Sequence, residues 1–305
     1  RTKAKGGKHD CMEMLNPHAA GIDLGSKEHW VAVPVDRDSE PVRAFGCFTA
    51  DLYAMADWLE QCGVRTVAME STGVYWVPVF QVLEGRGFEV KLVNAGHVKN
   101  VPGRKTDIQD CEWLQQLHSY GLLKGSFRPE DSICVLRSYW RHRDNLVALA
   151  SAHIQHMHKA LEQMNLQLHK VISDVTGVTG MAIIRAILAG ERDPVKLAQM
   201  KDRRIQSSVQ KIAKALQGGY RPEHLLALQQ SVELYDIYLE KIAACDEQID
   251  QCLAQFESRV DEDALQERTQ RTPRRTPKGH QPDFDLGSHL YRITGVDYTA
   301  IPGRS

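Results

Sequence analysis

The sequence predicts an α/β domain with a mixed sheet, followed by a long helical region. Between Ala19 and Val93, short apolar runs with the two-residue period of strands alternate with stretches of helical period. After Arg137 the apolar residues recur at alternating spacings of three and four, the heptad period of helices that pack along each other. At roughly 100–200 residues per domain, a chain of 305 residues accommodates two domains, or three if some are small.

Bulk composition excludes several protein classes. The chain has 38 Lys and Arg against 39 Asp and Glu, and 42 % apolar residues, which is typical of a globular protein and names no charged partner. No apolar run approaches the roughly 18 residues of a membrane span. Seven cysteines without a Cys-x-x-Cys pair fit neither a disulfide framework nor a zinc site. We therefore expect a protein of a reducing compartment, the cytoplasm.

The α/β domain opens with three consecutive strands and continues with alternating helices and strands. The first strands are predicted at Ala19–Leu24, His29–Val35 and Val42–Phe48. Then follow helix Asp51–Gln61, strand Thr66–Met69, helix Val74–Glu84, strand Phe88–Val93 and a helix from about Lys105 to Tyr120. An antiparallel meander followed by parallel crossover units is the element order of the ribonuclease-H-like fold, which we predict for residues 18–136.

Two heptad seams predict a pair of long helices within residues 137–265. The first seam comprises Trp140, Arg143, Val147, Ala150, Ile154, Met157, Leu161, Met164, Leu168 and Val171. The second comprises Leu225, Leu228, Val232, Tyr235, Leu239, Ile242, Asp246, Ile249, Leu253, Phe256 and Val260. Residues 137–170 carry a net charge of +3 and residues 225–263 one of −8, which favours their pairing. We predict a coiled-coil hairpin with a small helical knob at its tip.

Three further segments flank these domains. Residues 1–17 form a basic leader without an apolar pattern, and such leaders are usually disordered. Residues 266–289 contain three prolines and five Lys or Arg, which predicts an exposed basic linker that breaks any helix. Residues 290–305 begin another segment, and the chain starts without Met, so we expect a fragment of a longer protein.

Four carboxylates in the α/β domain lie where metal-binding groups occur. Asp23 is within a strand, where Asp is depleted, and Glu70 ends the fourth strand, where α/β sheets bind ligands. Asp107 and Asp110 are three residues apart on the third helix, on a face that continues to Leu114, so both should point toward the sheet. Converging carboxylates repel one another unless they share cations, and oxygen ligands favour Mg²⁺ or Mn²⁺. We predict a site for two such ions, the arrangement that cleaves phosphodiesters.

Each carboxylate also has a structural interpretation. Asp23, between two glycines, can serve a turn, and Glu70 can cap the helix that follows it. Asp107 and Asp110 can offset the dipole at the start of their helix. The combination of all four with this element order favours the metal site.

Three segments resemble the acidic blocks of a known family. They are Gly21-Ile22-Asp23-Leu24-Gly25-Ser26, Met69-Glu70-Ser71-Thr72-Gly73 and Lys105-Thr106-Asp107-Ile108-Gln109-Asp110. In this order they resemble the DEDD blocks of the insertion sequence 110 family of transposases, described as bridge-RNA-guided DNA recombinases. The resemblance extends to Gly190-Glu191-Arg192-Asp193-Pro194 and to the helical region, so it spans nearly the whole chain.

The resemblance implies a RuvC-like domain in which Asp23, Glu70, Asp107 and Asp110 bind Mg²⁺ and act in catalysis. It implies DNA and a guide RNA as partners, and a homo-oligomer held by coiled-coil contacts. It also implies an active site shared with a serine nucleophile from a C-terminal transposase domain. Residues 290–305 resemble the opening of that domain, and no serine of this chain corresponds to the nucleophile. The expected role is DNA binding and strand exchange for a mobile element, at the nucleoid.

Local clusters of basic residues independently indicate nucleic acid. Residues 201–221 carry a net charge of +5, and a second cluster of arginines interleaves Tyr139 and Trp140. The candidates for phosphate contacts are Lys99, Arg104, Lys105, Arg137, Arg141, Arg143, Lys201, Arg203 and Arg204. The alternative is that these residues are solvated helix faces, because basic runs are common.

Two other functions are open at this point. A non-catalytic remnant of such a transposase would bind nucleic acid without exchanging strands. A sugar-kinase-like or actin-like ATPase is suggested by residues 21–26, which resemble the first phosphate loop of that superfamily, but a second glycine-rich loop is missing. No metal is expected at His153, His156 and His158, because they flank the first seam.

Overall fold

The computed structural model describes residues 13–71, 73–94, 107–271 and 279–298, without the side chains of Asp107, Thr269 and Arg271. The chain divides into two compact units, residues 1–129 and residues 130–305. Within the described ranges, no helix is both long enough and apolar enough to cross a membrane. The first unit is built on a sheet, and the second on two long helices.

The first unit contains the predicted elements in the predicted order, so the mixed α/β class is confirmed. Its strands are β1 (Ala19–Leu24), β2 (Glu28–Ala32), β3 (Val42–Gly46), β4 (Thr66–Glu70) and β5 (Glu89–Val93). Its helices are α1 (Thr49–Gln61), α2 (Trp76–Gly85) and α3 (Asp107–Ser119). Strand β2 ends before the predicted Val35, because Pro34 has no N–H to donate to a neighbouring strand.

The five strands form one sheet in the order β3-β2-β1-β4-β5. The β1–β2 and β2–β3 pairs are antiparallel, whereas β1–β4 and β4–β5 are parallel. The central strand β1 therefore has a hairpin partner on one side and a crossover partner on the other. Its carboxyl end lies beside the carboxyl end of β4, because the register pairs Ile22 with Met69.

The two faces of the sheet are covered differently. Ile22, Val31 and Val67 belong to a core formed with Leu52 and other residues of α1 and with α2. On the opposite face, Ala68 and Val93 pack with Leu114 of α3. Because side chains alternate along a strand, Gly21 and Asp23 of β1 lie on the face that α3 covers.

The second unit contains eight helical segments in its described part. They are α4 (Asp131–Gln163), a 3-10 helix (Leu168–Lys170), α5 (Val178–Leu188), α6 (Pro194–Gln199), α7 (Val209–Ala215), α8 (Pro222–Ala254), α9 (Glu262–Arg271) and α10 (Leu286–Thr294). Helices α4 and α8 each have 33 residues and pack along each other. They are antiparallel, because Arg143 pairs with Asp246 at one end and the Met164 carbonyl accepts from Gly219 N at the other.

The two predicted seams supply most of the buried face of this helix pair. The buried seam residues on α4 are Arg143, Ala150, Met157 and Leu161. Those on α8 are Leu228, Val232, Tyr235, Ile242, Asp246, Ile249 and Leu253. Leu239 departs from the pattern, since 37 % of it is exposed. Supercoiling of the pair stays a prediction.

Helix α4 ends at Gln163, before the last residues of its predicted seam. Asn165 adopts a left-handed conformation with φ of 55°, and the Leu166 N–H bonds the Leu161 carbonyl at 2.8 Å. A residue in this conformation with that backbone bond ends a helix. Leu168 and Val171 are still buried, but they pack in the core formed by the short helices that follow α4 in the chain. The prediction that these two residues continue the α4 seam is therefore wrong.

The predicted exposed linker is also corrected in part. Helix α9 continues to Arg271, and Arg268 is only 7 % exposed. Its Nη1 donates to the Ser288 hydroxyl at 2.9 Å, and its Nε lies 3.5 Å from an Asp297 carboxylate oxygen. These contacts hold Arg268 against the segment that contains Ser288 and Asp297. The prolines and basic residues around it had predicted an exposed linker instead. Residues 272–278 lie outside the described ranges.

Candidate functional site

Asp23 and Glu70 occupy neighbouring positions at the carboxyl ends of two parallel strands. The register pairs Gly21 with Ala68 and Ile22 with Met69, and Asp23 and Glu70 are the residues that follow this last pair. Both side chains are half-buried and alternate with residues of the opposite face, Ile22 and Met69. The two predicted carboxylates of the sheet therefore lie on one face at one edge.

Helix α3 crosses this same face with its start toward the carboxylates. At its far end, His118 Nε2 lies 2.8 Å from the Thr66 hydroxyl, near the start of β4. Closer to the site, a Cβ on Gly21 would lie 2.3 Å from Gln115 N and 2.4 Å from Cys111 O. Only glycine permits so close an approach of helix and strand. The contact of His118 with Thr66 and that of Cys111 and Gln115 with Gly21 fix the direction of α3 across the sheet. In this direction, the start of α3 at Asp107 points toward Asp23.

The predicted acidic pair lies in the first turn of α3. Asp107 is the first residue of the helix and lies one turn before Cys111; its side chain is outside the described part. Asp110 is half-buried and lies one turn before Leu114, which packs against the sheet. The start of α3 therefore comes to the edge that carries Asp23 and Glu70.

Cys111 links these elements electrostatically. Its thiol is fully buried, and Sγ donates to the Ile108 carbonyl at 3.1 Å. Burial, and after it the charges of Glu112 and Asp23, raise the pKa of Cys111 to about 12. The charge of Asp23 therefore acts on the second turn of α3.

Trp30 is a neighbour of Asp23 that the sequence interpretation did not predict. The β1–β2 register places Trp30 directly opposite Asp23, and side chains paired in this way lie on the same face. The indole Nε1 donates to a Glu28 carboxylate oxygen at 3.1 Å. The signal in the sequence is the short turn formed by residues 25–27. Aligning the two strands on either side of this turn gives the pairing of Asp23 with Trp30.

The donor set fits a hard divalent cation, although its geometry is incomplete. Asp23, Glu70 and Asp110 offer carboxylate oxygens, the ligands that Mg²⁺ and Mn²⁺ prefer. Among the side chains that the structure describes, no three His, Cys, Asp or Glu stand close enough together to hold a metal. Asp107, which belongs to the predicted set of four, is not among those side chains.

The predicted nucleic-acid contacts separate into several groups. Lys99, Arg104 and Lys105 lie outside the described residues. Arg137 and Arg141 are exposed on α4, as are Arg203 and Arg204 in the segment after α6. Lys201 is half-buried, and its ammonium donates to the carbonyls of Ile205 and Ser207 at 3.1 and 2.8 Å. Lys201 therefore closes a loop, whereas its neighbours face solvent.

The prediction that Arg143 contacts phosphate is wrong, because this residue is buried. It is 3 % exposed, and its Nη2 lies 3.3 Å from Asp246 Oδ2 and 2.9 Å from the His280 carbonyl oxygen. Its guanidinium is thus committed within the helix pair. Arg143 occupies a seam position, and that position decides its burial.

The segment around Gly190 has a structural explanation. Arg192 Nη1 donates to the Ile187 carbonyl at the end of α5, and its guanidinium lies 4.6 Å from the centre of the Tyr220 ring. Asp193 accepts from the N–H groups of Val195 and Lys196 and so caps α6. This segment, one of those that carry the resemblance, forms a turn between two helices.

Comparison with known protein families gives a match to transposases. The model of a transposase family, the DEDD transposases of insertion sequence 110 (IS110), matches residues 20–166. A search of curated proteins gave no match. The matched range includes Asp23, Glu70, Asp107 and Asp110, together with the sheet that carries the first two. Residues 20–166 therefore match the IS110 family of DEDD transposases.

Proposed function

We propose that the first unit is a ribonuclease-H-like nuclease domain that acts in metal-dependent cleavage and exchange of DNA strands. The observation that supports this proposal is the packing of α3 against Gly21 of β1, two residues before Asp23, on the strand that pairs with the strand of Glu70. The strand order β3-β2-β1-β4-β5, with the acidic residue on the central strand, supports it. The family match supports DNA as the substrate.

Asp23, Glu70, Asp107 and Asp110 would hold two divalent ions, Mg²⁺ or Mn²⁺, as in two-metal enzymes. Bound there, divalent ions would stabilise the charge that develops on a phosphodiester during cleavage. The carboxylates hold the cations, and α3, fixed on Gly21, sets the spacing between the strand carboxylates and the helix carboxylates. The resemblance assigns the nucleophilic serine to a C-terminal transposase domain, and a guide RNA would be a further partner.

Metal binding by the chain as it stands tests the acidic site. We expect Mn²⁺ and Mg²⁺ to raise the melting temperature of the wild type and to bind by calorimetry. Glu70→Gln and Asp110→Asn should each reduce the affinity by at least tenfold, the loss typical of groups that support a metal site. Asp36→Asn, an exposed carboxylate in the turn after β2, is the matched control. Equal binding by wild type and Glu70→Gln would refute the assignment.

Nucleic-acid binding is proposed for the segment from α6 to α7 rather than for the long helices. Arg203, Lys211 and Lys214 are exposed, and Lys211 and Lys214 are one turn apart on α7. Within the described ranges, no carboxylate forms an ion pair with any of these three, whereas Arg204 pairs with Asp202. Residues 201–221 have a net charge of +5, and residues 225–263, which include most of α8, have −8. A phosphate backbone is therefore attracted by the short helices and repelled by α8.

The salt dependence of binding tests this surface. Duplex DNA and an RNA hairpin would each be titrated with the wild type and with Arg203→Ala/Lys211→Ala/Lys214→Ala, by fluorescence anisotropy. Loss of three phosphate contacts should reduce the slope of log K against log salt by about 2–3. Lys241→Ala, an exposed lysine on α8, is the control and should leave the slope unchanged. An unchanged slope in the triple variant would exclude this surface.

The same two experiments decide between the enzyme and its alternative, a non-catalytic nucleic-acid-binding remnant. Metal binding that depends on Glu70, together with binding of nucleic acid, supports the nuclease domain. Binding of nucleic acid without any metal affinity supports the remnant. In either case the chain would work at the nucleoid in the cytoplasm, where chromosomal DNA is found. Association of two copies through the long helices, as the resemblance implies, is part of this proposal.

A further inference from the structure

The buried ion pair between the long helices has additional partners in a distant segment. Arg143 and Asp246 are the polar members of the two seams, and they are 3 % and 5 % exposed. Asp246 Oδ2 also accepts from the backbone N–H of Asp283 at 3.1 Å. Arg143 Nη2 donates to the His280 carbonyl oxygen at 2.9 Å. The segment from His280 to Asp283 therefore bonds both members of the pair.

The contacts continue along α8 at helical spacing. His289 Nε2 lies 2.7 Å from an Asp250 carboxylate oxygen, one turn after Asp246. Arg292 donates to the carbonyls of Leu253 and Phe256, where α8 ends and its last carbonyls lack helical partners. The residues contacted on α8 recur every three or four positions, so they form one face of that helix.

Desolvation explains why these contacts belong together. A buried ion pair stabilises a fold only when further hydrogen bonds satisfy the remaining donors and acceptors, because both charges have lost their water. Here residues 280–283 provide an acceptor for Arg143 and a donor for Asp246. If this segment left, the pair would lose those bonds inside the helix interface. Release of the segment and loosening of the helices near Arg143 therefore favour each other.

We propose that this face of α8 is a docking site for residues 279–298, and that docking is coupled to the pairing of α4 with α8 through Arg143 and Asp246. The coupling makes residues 279–298 part of the helical unit. The chain that leaves this unit at Tyr298 is thereby held in a defined position relative to the end of α8. The seam arginine and aspartate then act as a connector between two parts of the chain. This inference does not depend on the metal site or on nucleic-acid binding.

Hydrogen exchange measured by mass spectrometry tests the docking site from the side of the helices. In Arg143→Met/Asp246→Leu, apolar side chains replace the pair at similar volume, so the helices should remain paired. We expect peptides from residues 279–294 to exchange at least about tenfold faster, with protection of residues 150–161 retained. Arg185→Met/Asp236→Leu removes an exposed ion pair between α5 and α8 and is the matched control. Unchanged exchange in residues 279–294 of the first variant would overturn the proposal.

The reciprocal variant tests the coupling from the side of the segment, and it covers the case in which the double variant fails to fold. His289→Ala/Arg292→Ala leaves Arg143 and Asp246 intact and removes two contacts to α8. Coupling is reciprocal, so exchange should rise both in residues 279–294 and in the helix residues around Arg143 and Asp246. Faster exchange in the segment with no change around Arg143 would show docking without coupling and would overturn the proposal.

Discussion

Replacing Gly21 by alanine should damage both the stability of the first unit and its metal site. The added Cβ would lie 2.3 Å from Gln115 N and 2.4 Å from Cys111 O, whereas ordinary contacts begin at 3.4 Å. Both atoms are backbone atoms of α3, so no side chain can rotate away. The difference between 3.4 and 2.3 Å requires the helix to move by about 1 Å relative to β1.

The expected magnitude follows from this displacement. Overpacking of this kind costs about 1–3 kcal/mol, and the backbone contacts put Gly21→Ala toward the upper end. For a unit of somewhat more than 100 residues, this corresponds to a fall of roughly 8–12 °C in the melting temperature. The start of α3 would shift with the helix, so the affinity for Mn²⁺ should also fall, by at least about tenfold.

Thermal denaturation and calorimetric titration with Mn²⁺ measure the two effects. Gly85→Ala is the matched control, because nothing lies within 4 Å of a Cβ there and Gly85 is the last residue of α2. That control should be neutral or slightly stabilising, since alanine favours helix more than glycine does. If Gly21→Ala melts and binds Mn²⁺ as the wild type does, α3 does not fix the acidic site in the way proposed.

Two further predictions concern stability. Burial, and then the charge of Lys91, lower the pKa of His118 to about 4, so folding favours its neutral form. The stability that the neutral His118 contributes is complete above the unfolded pKa of about 6.5 and is lost as the pH falls toward 4, by up to roughly 3 kcal/mol. In His118→Gln, the free energy of unfolding measured with urea should lack this dependence on pH. Asp193→Ala should lower the free energy of unfolding by about 1 kcal/mol through loss of the α6 cap, whereas Asp193→Ser should retain most of it in the same assay.

Much of the fold could be predicted because each element has a local cause. The bounds of β1 agree with the prediction at both ends, and the helical period of α1 and α3 follows from apolar residues spaced three and four apart. The long helices were predictable for the same reason. The short helices α6 and α7 were missed, because six or seven residues are too few to establish a period.

The site was less predictable than the fold. Asp23 and Glu70 could be proposed because acidic residues in a strand, or at its end, contradict local propensity. Asp107 and Asp110 could be proposed because they share a helix face with Leu114. The role of Trp30 depends on strand register, which no single strand reveals. Arg143 shows the opposite error: a basic residue beside two aromatics resembles a phosphate contact until its seam position, opposite Asp246, is taken into account.

Charge in this chain is segregated, and the segregation would allow a protein of net charge −1 to bind a polyanion, as we propose. Carboxylates at the edge of the sheet repel phosphate unless a cation lies between them, so nucleic acid should bind there only when a divalent ion is bound. The basic residues from 201 to 221 attract phosphate without a metal. Weak binding that persists when divalent ions are removed, combined with cleavage that requires them, is therefore the behaviour that this distribution of charge predicts.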